Sequence, residues 1–192
     1  GGEKETTEAA TTAAEASAEA EESETAAEGE SAAEAAEITT VNEGKLTVAT
    51  SPDFAPYEFY AIGEDGTPKL AGFDMALAQY IADDLGLELE VVTVDFDGVL
   101  SELSTKSVDL GMAGLSPDPK RADIMDFSDL YYMGGQSLVT TKANAEKFSS
   151  FEDVNKPEVS VGAQTGSIQM DLANENTPDA DIVGLPKVTD II

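Results

Sequence analysis

The sequence predicts an α/β fold, and two observations carry the prediction. Strand and helix signals alternate as βαβαβ over residues 45–113, the order of a mostly parallel sheet with helices on its faces. A second strand–helix–strand run follows over 159–184. The chain has no cysteine, so no disulfide constrains it.

Taken in order, residues 46–50 read as a short strand, Leu-Thr-Val-Ala-Thr. Residues 51–56 read as a loop, because Pro52 and Pro56 break both helix and ladder. Residues 57–60 and 69–71 flank Gly63-Glu64-Asp65-Gly66, a hairpin signature with an Asp-Gly turn. Phe73, Leu77, Tyr80, Ile81 and Leu85 recur at helical spacing and define the apolar face of a helix stopped at Gly86. A strand over 87–94, a short helix over 98–105 and a strand over 108–113 complete the first run. Gly134-Gly135 opens a strand over 134–141. In the second run, 159–162 is a strand, 167–174 a helix and 181–184 a strand. The pattern stops at Asp190-Ile191-Ile192, so a second α/β unit is expected to be incomplete in this chain.

Charge narrows the function. The chain of 192 residues carries 39 Asp plus Glu against 10 Lys plus Arg, a net charge of -29. Nucleic-acid binding is excluded as an expectation, since it requires cations that displace phosphate counterions. Histidine is also absent, which removes Cys/His zinc sites, thiol nucleophiles and Ser-His-Asp triads. No apolar run approaches the ~18 residues of a membrane-spanning helix. No signal peptide is expected within this sequence, which opens Gly1-Gly2-Glu3 with no apolar segment behind it. Residues 1–40 hold 12 Glu, 13 Ala and 7 Thr with a single large aliphatic, Ile38. Such a stretch buries too little apolar surface to offset chain entropy. It reads as an acidic tether or as an exposed single helix. The remaining acidic excess fits solubility or adaptation to salt.

Three places carry candidate chemistry. Gly114-Leu115-Ser116-Pro117-Asp118-Pro119-Lys120-Arg121 follows a strand, and Ser116-Pro117 has the form of an N-cap before a first-turn proline. Helix starts after parallel strands are where open α/β sheets bind ligands, and their free N–H groups suit anions. Arg121 is the only arginine. Its planar fork matches a carboxylate; the alternative is a surface pair with Asp118 or Asp123. Phe54 and Phe96, on loops after strand ends, either hold a small molecule between their faces or belong to the core. Gln164-Thr165-Gly166-Ser167 is a further helix start after a strand. Walker, GxGxxG and HExxH motifs are absent. Asp53, Asp123, Asp126 and Asp129 lack the spacing of a calcium loop and read as solvated surface. No cofactor and no metal are expected.

The ordered set Thr50-Ser51-Pro52-Asp53-Phe54-Ala55-Pro56-Tyr57-Glu58-Phe59, Gly72-Phe73-Asp74, Asp95-Phe96-Asp97-Gly98, Val108-Asp109-Leu110-Gly111-Met112-Ala113-Gly114, Lys120-Arg121, Asp126-Phe127-Ser128-Asp129 and Val161-Gly162-Ala163-Gln164-Thr165-Gly166-Ser167 resembles the polar-amino-acid family of bacterial ABC-transporter substrate-binding proteins. The resemblance covers about 43–192. It implies a periplasmic-binding-protein-like fold of two α/β lobes joined by crossing strands. The tether would occupy 1–42, lobe one 43–138, and a hinge strand with the incomplete start of lobe two 139–192.

By the same resemblance, the protein binds a free amino acid, is no enzyme, and passes its ligand to ABC permease subunits. Arg121 would clamp the ligand carboxylate, helped by Ser116 and by backbone at Ala113, Gly114 and Ser167. Phe54 and Phe96 would sandwich the side chain, Gln164 and Gly166 would line the cleft from lobe two, and Ser51 stands where several relatives carry an aspartate. The ligand's ammonium partner would fall beyond Ile192. The resemblance further implies an extracytoplasmic place, in the periplasm or on the outer membrane face as a Gram-positive lipoprotein with an N-terminal lipid anchor. Two rival functions share the fold: a cyclohexadienyl-dehydratase-like enzyme, and a sensor input domain.

Overall fold

The computed structural model describes residues 37–192, so the expected tether lies almost wholly outside the described residues. From Ile38 to Ile192 the chain forms one unit. Its centre is β1 (Lys45–Thr50), which pairs in parallel with β5 (Glu88–Thr93) on one side and β6 (Leu110–Gly111) on the other. The register runs Lys45↔Glu88 to Thr50↔Thr93, and Val48↔Leu110. Helix α1 (Phe73–Asp84) covers one face and α2 (Phe96–Ser104) the other. Side chains of β1 alternate between them, as strand geometry requires. Leu46 and Val48 pack with Ala78, Ala82 and Met112; Ala49 packs with Phe96, Val99, Val108 and Ala113. A strand covered on both faces has to be apolar almost throughout, which explains why the 46–50 run carries no charge.

Between β1 and α1 lies an antiparallel sheet of β2 (Asp53–Phe54), β3 (Glu58–Ile62) and β4 (Pro68–Ala71). The expected Asp65-Gly66 turn is present: Gly66 N–H donates to the Gly63 carbonyl at 2.9 Å. Strand β2 falls in the expected loop, because Asp53 and Phe54 lie after Pro52 and their backbone can pair with Phe59 and Glu58.

Beyond a long irregular stretch, α3 (Phe151–Val154) begins with a capping box between Ser150 and Asp153. Strand β7 (Ser160–Gln164), α4 (Ile168–Asn176) and β8 (Asp181–Leu185) then make a parallel β–α–β unit, with Ser160 opposite Asp181. Val154, Val161, Ala163 and Ala173 form its core. The fold is thus mixed α/β with a first lobe and a partial second one.

Three expectations need correction. Leu77 and Ile81 pack against the first core as expected, but the buried positions of α1 are Asp74, Met75, Ala78 and Ala82, whereas Phe73 is 45% and Tyr80 69% exposed. Alanines let the helix approach the sheet closely, and the large aromatics that dominate the periodicity turn outward. Helix α2 begins at Phe96 with Asp95 as N-cap, so Phe96 is not on a loop. The strand expected at 134–141 is not formed. No strand among the described residues lies beside it to complete a ladder, and Val139 is 87% exposed.

Candidate functional site

Because β1, β5 and β6 are parallel, their carboxyl ends share one edge, and the segments leaving β1 and β6 meet there. After β6 the helix start expected at Ser116 does not form. The tandem Ser-Pro-Asp-Pro offers the capping signature twice, and the second copy is used. Asp118 Oδ1 accepts from Lys120 N–H at 2.9 Å and opens a single 3₁₀ turn, Pro119–Arg121. Ser116 is left half-buried without a capping role.

Arg121 is buried, at 8% exposure. Its Nη2 donates to the Gly166 carbonyl at 2.8 Å, and its Cζ lies 6.0 Å from the centre of the Phe96 ring. Asp118 is 3.9 Å from Nε, too far for a hydrogen bond, and both side chains are sheltered. The surface-pair alternative therefore describes the partner but not the place. Among the described residues the fork makes no other hydrogen bond, so most of its donors are unengaged.

Phe96 belongs to the core, packing with Ala49, Val99, Val108 and Ala113, and it also lies against the Arg121 guanidinium. Phe54 is half-buried, 5.1 Å from Tyr57 between ring centres, and its ring lies 2.8 Å from where a Cβ on Gly114 would sit. Gly114 also has φ +57, so the turn needs glycine for both reasons. Its N–H donates to Asp74 Oδ2 at 2.8 Å, which leaves the carbonyl, not the amide, available to a ligand.

From the second lobe, Ser167 caps α4: its hydroxyl donates to the Gln164 carbonyl at 2.7 Å and accepts from Met170 N–H at 3.2 Å. Gln164 is buried, and its Nε2 donates to Asp53 Oδ2 at 3.3 Å and to the Pro186 carbonyl at 3.0 Å. Gly166, at φ +76, sits directly against Asp97. Lys120 Nζ reaches Asp171 at 3.1 Å. Contacts from Asp53 to the end of β7, from Asp97 and Arg121 to the loop after it, and from Lys120 to α4 thus bring this unit against the first sheet's edge. Ser51 lies on that edge, buried, its hydroxyl unpartnered. Among the described residues no three acidic side chains gather as a metal site.

Sequence reasoning missed the support behind the site. Asp74 and Glu58 are both fully buried. Asp74 accepts from Gly114 N–H and, at 2.7 Å, from the Tyr131 hydroxyl. Burial, and then Asp74 beside it, pushes the Glu58 carboxyl up to about 10, so it holds its proton at neutral pH. Burial and the Asp74 bond likewise raise Tyr131 above its ordinary value. The available signal was an acid set among aromatics in Tyr57-Glu58-Phe59-Tyr60, and another directly after Gly72-Phe73.

The chain is similar to known proteins along this framework. Residues 46–180 match the model of the bacterial extracellular solute-binding proteins, family 3. The arginine-binding extracellular protein ArtP of Bacillus subtilis is 36% identical over 135 residues, 70% of this chain and 49% of that protein. The cyclohexadienyl dehydratase of Pseudomonas aeruginosa is 29% identical, over 76% of this chain and 53% of the enzyme. The chain thus spans about half the length of these relatives. A crystal structure of the Streptococcus pneumoniae amino acid ABC transporter substrate-binding protein AbpA bound to L-arginine superimposes with a TM-score of 0.73 at 37% identity, covering 77% of this chain and 61% of that one. The family match takes in the whole first sheet and the second unit as far as the turn into β8, and on that extent the chain belongs to family 3 of the bacterial extracellular solute-binding proteins.

Proposed function

We propose that the complete protein captures one polar amino acid between its two lobes outside the cytoplasm and hands it to an ABC-type permease. The observation that carries this reading is Arg121, a buried guanidinium with one donor committed across the cleft to Gly166 and the rest unclaimed. Ser51, Phe54, Phe96, Ala113, Gly114 and Ser116 would form the first-lobe wall, and Gln164, Gly166 and Ser167 the second. The lobes meet at about residue 138, and the acidic 1–42 segment would tether them to a lipid anchor on the outer membrane face. The similarity to ArtP and to the arginine-bound AbpA supports this reading.

Binding is preferred to turnover. A dehydratase needs a proton donor at its substrate, and Glu58, whose burial keeps it protonated at neutral pH, is sealed from solvent. Calorimetry of the complete protein against the twenty amino acids is the test. Arg121→Lys should weaken the preferred ligand by roughly 2–4 kcal/mol, since a point charge leaves a buried carboxylate poorly paired. Unchanged affinity would remove Arg121 from the site.

A further inference from the structure

Three segments meet at the start of α1. Phe73 N–H donates to the Pro56 carbonyl and Asp74 N–H to the Tyr57 carbonyl, both at 2.9 Å, which ties the helix to the turn between β2 and β3. Asp74 Oδ2 accepts from Gly114 N–H at 2.8 Å, in the turn that leaves β6 toward Arg121. Asp74 Oδ1 accepts from the Tyr131 hydroxyl at 2.7 Å, in the irregular stretch that runs from Arg121 toward the second lobe. The Tyr131 ring also stacks on Phe73, with centres 5.9 Å apart and planes at 18°. Tyr131 is thus held by both ring and hydroxyl although 46% of it is exposed.

Asp74 is fully buried, and burying an acid without a cation beside it is costly. The ion pairs of the described residues, Lys45–Glu90, Lys120–Asp171 and the long Arg121–Asp118 contact, leave it out. The bonds from Gly114 and Tyr131 therefore carry the compensation between them. A carboxyl group fixed at Oδ1 by Tyr131 is aimed at Gly114 through Oδ2. Removing the first bond frees the group to turn about its last side-chain torsion, which is soft, and weakens the second bond with it. The consequence reaches the cleft, because the Phe54 ring lies where a side chain on Gly114 would stand. A shift of that turn shifts the wall on which the ring is seated.

We propose that Asp74 and Tyr131 are positioning residues of the ligand site: the Tyr131 hydroxyl fixes the Asp74 carboxyl, and Asp74 fixes the Gly114 turn and the seat of Phe54. The stretch running toward the second lobe thereby sets how well the first-lobe wall is formed. This rests on the amino-acid-binding reading above.

The test uses the complete protein, with its preferred amino acid chosen by calorimetry from the twenty. Tyr131→Phe removes one hydroxyl and keeps the stacking on Phe73. It should weaken that ligand by about threefold or more, the range of one hydrogen bond. In the ligand-free protein the Gly114 amide should exchange with solvent faster in Tyr131→Phe, while the amides of 46–50 keep their protection. General loosening would move both sets. Asp74→Ala should weaken the ligand further, and adding Tyr131→Phe to it should cost nothing more, because the hydroxyl then has no carboxyl to fix. Tyr131→Phe alone decides the matter where Asp74→Ala does not fold. A Tyr131→Phe loss smaller than about threefold, unchanged exchange at Gly114, or equal acceleration at 46–50 overturns the positioning role and leaves amino-acid binding standing. Binding of none of the twenty amino acids overturns the reading beneath it, and this proposal with it.

Discussion

Strands β1 and β7 each open a parallel sheet, yet their surroundings differ. Five of the six residues of β1 are buried, with a helix-covered core on either side. In β7, Val161 and Ala163 face a core while Ser160 and Gly162 are exposed, with Ile191 reaching over Gly162. The candidate site draws on both regions. The residues that would fix ligand chemistry, Arg121 and the Ala113–Gly114 turn among them, stand on the doubly covered sheet. Those that would close over the ligand, Gln164, Gly166 and Ser167, stand on the singly covered one. On the proposed reading, chemistry and closure would rest on regions of unequal burial, the less buried one being the kind of element that moves in binding.

The widest separation should come from core truncations. Val48→Ala should cost ~2–4 kcal/mol, because the β1 core cannot collapse from either side, and Val161→Ala only ~1–2 kcal/mol. Urea unfolding gives the magnitudes and hydrogen exchange the locality: Val161→Ala should release the amides of 160–164 while 46–50 stay protected. Equal loss of protection in both would mean that the two units unfold together.

Next comes pH, which acts on the first region through Glu58. The unfolded chain ionises this group from its ordinary value upward, while the folded protein keeps the proton until about 10. Between those values the folded state binds more protons, so stability falls as pH rises, by up to ~1.4 kcal/mol per unit. Glu58→Gln cannot ionise, and its urea midpoint should vary less between pH 6 and pH 9 than that of the native protein. Parallel profiles would show that Glu58 does not titrate as its burial demands.

The smallest effect isolates closure. Gly166→Ala places a methyl against Asp97 at a positive φ and should weaken ligand affinity by ~1 kcal/mol or somewhat more, leaving the melting of the first sheet unchanged. A variant that binds as tightly as the native protein would show that the loop before α4 does not close on the first lobe.

What could be read from the residues follows the same divide between local and distant causes. β1, the Asp65-Gly66 hairpin and the β7–α4–β8 unit are set by nearby alternation, turn residues and caps, and each lies where expected. The face of α1 was half read: Leu77 and Ile81 do pack on the core, but Phe73, Tyr80 and Leu85 turn outward because periodicity weighs side-chain size, whereas the sheet selects small residues such as Ala78 and Ala82. Asp74 was illegible as a support: an acid in a helix's first turn usually serves the helix dipole. Here its partners, Gly114 and Tyr131, lie 40 and 57 residues away. The Ser116 cap failed for a local reason, a second copy of the same signature two residues on. The strand at 134–141 failed for a distant one, the absence of a neighbouring strand among the described residues.

The hydrogen bond from Gly114 to Asp74 bears on the heat and entropy of binding. A turn that a ligand must order adds an entropic cost to every association. Here a buried acid and glycine's left-handed backbone order the turn before any ligand arrives, so that cost is borne during folding. The remaining ordering on association then falls to the loop between β7 and α4 and to the ligand itself, and the thermodynamic signature of capture should be that of one lobe settling onto another that is already set.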